Sequence, residues 1–140
     1  MKQIGQFTIE GRLPSINEVI ANDRGNYYHS NAAKQNAEAL ILMYINNAIR
    51  RGDMEKQYDE PVLLYIDWYE PNNRRDSDNI KAGGQKLILD AMRKAGVIKN
   101  DGPRYVRDVI GWVHYPMYDN PKKLSKIQVT IMGLEAEVTT

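Results

Sequence analysis

The run Arg74-Arg75-Asp76-Ser77-Asp78-Asn79-Ile80 sets two carboxylates one residue apart, directly after two guanidiniums and just ahead of an amide. In extended backbone, side chains at i and i+2 share a face, so Asp76 and Asp78 can turn toward one point. Hard divalent cations such as Mg2+ take oxygen ligands, commonly one or two carboxylates with water and a substrate phosphate completing the shell. A third carboxylate, Asp101, follows in the turn signal Asn100-Asp101-Gly102-Pro103. Arg74 and Arg75 can clamp phosphate through charge-assisted bonds, or can simply balance the neighbouring acids. The two aspartates also suit the start of a helix, where a carboxylate gains ~0.3–1 kcal/mol from the dipole. Spacing alone leaves cation binding and capping both open.

The elements that must position these groups can be read from periodicity. Residues 3–11 alternate as a strand with one apolar side. Leu13-Pro14-Ser15-Ile16-Asn17 breaks regular structure, and a polar, aromatic loop runs through Asn22 to His29. Ser30 or Asn31 can cap a helix over about residues 32–51, which Gly52 ends. Val62–Tyr69 is rich in β-forming residues, with Leu63, Tyr65, Asp67 and Tyr69 on one face. A second helix is predicted from about Asn79 to Lys94, stopped by Gly96. Two more strands follow, at about 105–115 and 126–134. The order β-α-β-α-β-β predicts one α+β domain over residues 1–140 with a mixed or antiparallel sheet. The acids of interest fall between a strand and a helix, where a rigid scaffold commonly presents functional loops.

Composition narrows the chemistry. The chain has 140 residues and no cysteine, so any metal must be held by oxygen or histidine and no thiol can act as a nucleophile. No apolar run approaches the ~18 residues that a membrane span needs. The N-terminal segment lacks a signal-peptide core, which makes a cytoplasmic protein the default. The net charge of +1 hides a split. Residues 1–70 carry 7 Lys/Arg against 10 Asp/Glu, whereas residues 71–126 carry 12 Lys/Arg against 6 Asp. A basic segment is the footprint expected for a phosphate-backbone partner, and equally for a solvated helix face. Tyr27, Tyr28 and His29 can stack on an unpaired base or serve ordinary packing. His114 reads as structural, and Trp68 and Trp112 read as core. No Gly-rich phosphate loop, Ser-His-Asp arrangement or helical His-x3-His is present.

Four short elements occur in order: residues 74–80, Leu89-Asp90-Ala91-Met92, Lys94-Ala95-Gly96-Val97-Ile98, and Asn100-Asp101. Together they resemble the RusA family of Holliday junction resolvases. That family shows an Arg-rich Asp-x-Asp-Asn-Leu/Ile element, a helix ending in Asp-Ala-Leu and Lys-Ala-Gly, and a further Asp in the next loop. The resemblance covers about residues 71–115 and extends weakly to residues 13–17, similar to the family's Pro-Ser-x-Asn loop. It implies that Asp76, Asp78 and Asp101 are catalytic, Mg2+-binding aspartates. Asp90 matches an acidic helix position, or pairs with Lys86 or Lys94 one turn away.

The family's functional lysine has two candidates. Counting forward from Asp78-Asn79 favours Lys81, whereas counting back from Asp90-Ala91-Met92 lands on Lys86. The extra turn Ala82-Gly83-Gly84-Gln85 keeps the helix face in register and favours Lys86. The two glycines cost ~1 kcal/mol each relative to alanine. That cost points to close approach of another backbone, from a dimer partner or DNA, or to a local helix break.

The resemblance further implies a two-fold homodimer that nicks four-way junctions by Mg2+-assisted phosphodiester hydrolysis, in DNA recombination and repair, often of phage. Arg74, Arg75, Lys81 and Lys94 are then expected on the DNA. Two other classes compete. A non-enzymatic nucleic-acid-binding module explains the basic segment but not acids set within it. A Mg2+-dependent nucleotide phosphohydrolase explains the acids equally well.

Overall fold

Alternation along the strands decides the architecture. In Val62–Tyr69, Val62, Leu64, Ile66 and Trp68 are buried while Tyr65, Asp67 and Tyr69 are half-exposed. A computed structural model describes residues 1–13 and 27–134, with the side chains of 27–31 excepted. Its elements are β1 (Lys2–Glu10), α1 (Tyr27–Arg51), β2 (Val62–Tyr69), α2 (Ser77–Lys94), β3 (Val106–His114) and β4 (Lys126–Gly133). The order and the α+β class are those read from the sequence. Of the loop expected over Asn22–His29, residues 22–26 lie outside the described residues, as does the Pro14–Asn17 stretch, whereas 27–29 belong to the first turn of α1. The side chains of Tyr27, Tyr28 and His29 lie outside them too. Because α1 begins at Tyr27, Ser30 and Asn31 lie inside it and do not cap it.

The four strands form one sheet in the order β1-β4-β2-β3. β4 is antiparallel to both β1 and β2, whereas β2 and β3 are parallel. The sheet is therefore mixed. Parallel neighbours need a long crossover, which α2 supplies between β2 and β3. This crossover fixes the site: the start of α2 lies at the finishing end of β2 and β3, and its end lies where β3 starts. Gly96 stops α2 as expected, at φ +79°. Its N–H donates to the Arg93 carbonyl and that of Val97 to the Met92 carbonyl, closing the last turn.

One face of the sheet carries the helices. Ile41, Ile45 and Ala48 of α1 and Ile80, Ile88, Ala91 and Met92 of α2 share a core with Phe7, Ile9, Leu64, Ile66, Trp68, Val129 and Ile131. The strand positions between these point to the other face. There Thr8 pairs with Gln128, Gln128 with Asp67, and Asp67 with Trp112. Trp68 is core, as expected, but Trp112 is not: it is 64% exposed. Its strand is an edge strand, and among the described residues no helix covers its side of the sheet.

Gly84 is buried in α2, and a methyl there would stand 2.5 Å from Cη2 and Cζ3 of Trp68. The close approach that the glycine pair signalled is thus made by an indole of the same chain, and α2 runs unbroken through Gly83-Gly84.

Candidate active site

The segment leading to the aspartates is fastened before they are reached. The Glu70 N–H donates to the His114 carbonyl at 3.0 Å, and Asn120 Nδ2 donates to the Glu70 carbonyl at 2.8 Å. The Glu70 carboxylate, nearly fully buried, accepts from Arg12 at 3.1 Å and from Arg75 Nε and Nη2 at 3.0 Å each. Arg75 Nη1 also donates to the Leu13 carbonyl at 2.7 Å. The Tyr115 hydroxyl donates to the Arg75 carbonyl at 2.6 Å. Burial pushes the Tyr115 hydroxyl above its ordinary pKa; Glu70 and Asp76 add to the rise and Arg75 offsets part of it. Tyr115 therefore stays a neutral donor. The two arginines, alike in sequence, divide their work. Arg75, expected on the DNA backbone, has a side chain only 10% exposed and is held by Glu70. Arg74 is exposed and has no ion-pair partner among the described residues.

Asp76 occupies the cap position of α2 in extended backbone, φ −72° and ψ 146°, and its carbonyl accepts from the Ile80 N–H at 3.1 Å. Its carboxylate makes no capping hydrogen bond. Asp78 lies in the first turn. Both side chains are exposed and line one open cleft with Asn73, Ser77, Tyr115 and Tyr118. The position of a cap is therefore filled without spending the carboxylate on it. Two free carboxylates facing a shared cleft suit a hard divalent cation, which completes its shell with water and phosphate oxygen.

The lysines lie along the other side of Asp78. A groove between α2 and β3 is lined by Asp78, Lys81, Gln85, Lys86, Val109 and Gly111. The stem of Lys81 lies over Gly111, where a methyl would stand 2.7 Å from Lys81 Cδ. Lys86 reaches Asp90 Oδ1 at 3.4 Å, and its side chain is 69% exposed. Both lysines thus share a groove with Asp78. Lys94 pairs with Glu38 of α1 at 2.8 Å, at the far end of α2.

Asp101 is exposed and stands past that far end, ahead of β3. From Asp78 to the end of α2 at Lys94 the helix runs roughly 24 Å at ~1.5 Å per residue. Within one protomer the fold brings Asp76 and Asp78 together and leaves Asp101 apart. Among the described residues, no three of the His, Asp and Glu side chains are grouped to hold a metal ion.

A second polar cluster on the open sheet face has no counterpart in the sequence reading beyond His114 as a structural residue. His114 Nε2 lies 2.8 Å from Asp67 Oδ1, and its Nδ1 lies 2.5 Å from Asp119 Oδ2. Trp112 Nε1 donates to the same Asp119 oxygen at 3.0 Å, and Tyr69 stacks on the imidazole at 4.4 Å. An imidazole offers N–H groups on both sides only when protonated. Partial burial pushes Asp119 up, but hydrogen bonds from Trp112 and His114 and the charge of His114 outweigh it and hold the carboxyl below its ordinary value. The cluster anchors the loop after β3 to the sheet. Only the alternation that pairs Asp67 with Trp112 and Tyr69 with His114 across β2 and β3 foreshadows it.

No family model and no curated protein matches the chain.

Proposed function

We propose that this chain is a divalent-cation-dependent endodeoxyribonuclease of the RusA kind, acting as a homodimer on four-way DNA junctions in recombination and repair. One observation carries the reading: Asp76 and Asp78 face one open cleft, and the Asp76 carboxylate is not spent on the helix that Asp76 caps. The donor set is that of a Mg2+ site, and a bound cation would supply Lewis acidity and an activated water at the scissile phosphate. Asp76 and Asp78 would hold it. Arg75, locked to Glu70 and Leu13, keeps the loop that carries Asp76 in place. Arg74 and Lys81 neutralise phosphates on either side of the cleft. Lys86, in the same groove as Asp78, supplies charge to the phosphate in the transition state.

The test compares a four-way junction, a linear duplex and free nucleotides, each with the protein and Mg2+. Paired nicks in the junction support the reading. Turnover of nucleotides alone would make the protein a phosphohydrolase, and binding without turnover would make it a binding module. Junction affinity should also fall steeply with salt, with a log–log slope of roughly −5 for about six neutralised phosphates.

A further inference from the structure

The turn after β3 carries the two most exposed large apolar side chains among the described residues. Met117 is 71% and Tyr118 80% exposed, and both line the cleft that holds Asp76 and Asp78. The bonds that hold them out lie behind them. The Tyr115 carbonyl accepts from the N–H groups of Tyr118, Asp119 and Asn120 at 3.0, 3.1 and 3.0 Å. Asn120, almost fully buried, donates to the Glu70 and Leu124 carbonyls and accepts from the Leu124 N–H. The Asp119 carboxylate adds a further tie, which runs away from the cleft to His114 and Trp112 on the open sheet face.

That tie depends on charge. His114 lies between the carboxylates of Asp67 and Asp119, one at each ring nitrogen. A neutral imidazole has one N–H and one lone pair, so it would turn the lone pair on one of the two acids; only the imidazolium donates to both. The other groups around the ring do not replace that charge. Trp112 Nε1 is a neutral donor to Asp119. Tyr69 stacks on the imidazole; burial, then the charges of Asp67 and Asp119, push its hydroxyl above the ordinary value, so it stays neutral. Lys126 of β4 lies over Tyr69, 5.1 Å from the centroid of that ring. Asp67 belongs to β2, which is paired on both sides, whereas Asp119 sits on a turn. Loss of the imidazolium therefore releases Asp119.

We infer that His114, as the imidazolium, is a positioning residue for the aspartate cleft: by clamping Asp119 to Asp67 it fixes the turn that presents Met117 and Tyr118 to the substrate. For what the cleft binds, the inference rests on the proposed nuclease reading; the clamp itself does not depend on it. With His114 charged, this wall of the cleft is set before DNA arrives. With His114 neutral, binding must order it. Affinity for the junction therefore falls as pH rises through the titration of His114, while the Asp76–Asp78 pair is left as it was.

Two measurements test this, and the first needs no substrate. In NMR spectra of the 15N-labelled chain taken from about pH 5 to about pH 8, where a histidine changes charge, three signals should shift with one midpoint. They are the His114 ring, the Trp112 indole N–H and the Tyr118 amide; the indole N–H of Trp68, in the core, should stay in place. His114→Gln should abolish the transition, and His29→Gln, which replaces the chain's other histidine, should keep it. A Tyr118 amide that does not follow His114 overturns the coupling. The second is junction binding without metal, which keeps the chemical step out of the readout. Wild-type affinity should fall roughly three- to tenfold across the same range, as expected for ordering an exposed side chain on binding. His114→Gln, shown to be folded by circular dichroism, should bind at the weak level at every pH, because an amide donates from one side only. A His114→Gln chain that binds as tightly as wild type, or keeps its pH dependence, overturns the positioning role. A wild-type chain that binds no junction at any pH would instead count against the nuclease reading, and the Tyr118 titration would then judge the clamp by itself.

Discussion

Gly84→Ala sets two opposed effects against each other at one position. Alanine in the interior of a helix is favoured over glycine by ~1 kcal/mol, so a purely local argument says the change stabilises α2. The new methyl, however, would stand 2.5 Å from Cη2 and Cζ3 of Trp68, which is itself 2% exposed at the centre of the core. Neither ring carbon is the free end of a flexible chain, so helix and sheet must separate or the indole must leave its place. Overpacking of this kind costs ~1–3 kcal/mol. The steric effect should win, with a net loss of up to ~2 kcal/mol and a fall in Tm of up to about 7 °C for a domain of this size. Urea unfolding followed by tryptophan fluorescence gives the free energy directly. In a Trp68→Leu background the two ring carbons are gone, and Gly84→Ala should become neutral or stabilising. Stabilisation by Gly84→Ala in the wild-type background would refute the reasoning, and so would an effect that Trp68→Leu leaves unchanged.

On the proposed nuclease reading, Asp76→Asn and Asp78→Asn should abolish junction cleavage while preserving or tightening junction binding, because each would remove a cation ligand and a charge that repels phosphate; cleavage and gel-shift assays read the two separately. Lys86→Ala should slow single-turnover cleavage by orders of magnitude, as expected for a lost transition-state charge, whereas Lys81→Ala should mainly weaken binding by an amount that shrinks as salt rises. The opposite ranking would move the catalytic role to Lys81, whose stem is already pinned over Gly111. Glu70→Gln should destabilise by ~3 kcal/mol in urea, because it leaves the almost buried Arg75 guanidinium without its counter-charge. Asp119 titrates below its ordinary value in the folded chain, so its contribution is present above the usual carboxylate range and is lost as pH falls through the lowered pKa. The Tm gap between wild type and Asp119→Asn should therefore close as the solution is acidified.

The elements were legible because their signals are strong: Val62–Tyr69 is dense in β-forming residues, and Gly52 and Gly96 stop their helices at φ +79°. What the sequence could not reveal is which side of a strand another layer covers. Trp112 sits among apolar residues of its strand, Val109, Ile110 and Val113, yet the helices lie on the opposite face, and it is exposed. The paired arginines show the same limit. Successive side chains in extended backbone point opposite ways, and nothing in Arg74-Arg75 says which one meets Glu70. Glu70 itself carries no signal, since a buried acid is recognised by its partners, here Arg12 and Arg75. The Asp76–Asp78 pair was visible as a spacing, and that its carboxylates stand free was not. Asp101 was visible as a residue, but its place depends on β2 and β3 being parallel, which puts a whole helix length between it and the other two.

The position of β4 bears on how the chain reaches this state. It is the last of the four strands to be synthesised, yet it lies second in the sheet, between β1 and β2. Among the described residues β1 pairs only with β4, so until β4 arrives the paired unit open to the nascent chain is β2-α2-β3. That unit already carries Asp76, Asp78 and the groove lysines, so the half that holds the candidate site can form as a local nucleus while β1 waits. Closing the sheet then joins strands more than 100 residues apart in the chain, a non-local step of the kind that slows folding and lengthens exposure of unpaired edges. A chain stalled before β4 would thus present two open flanks of β2-α2-β3 at once, and chaperone dependence should be greatest at that point of synthesis.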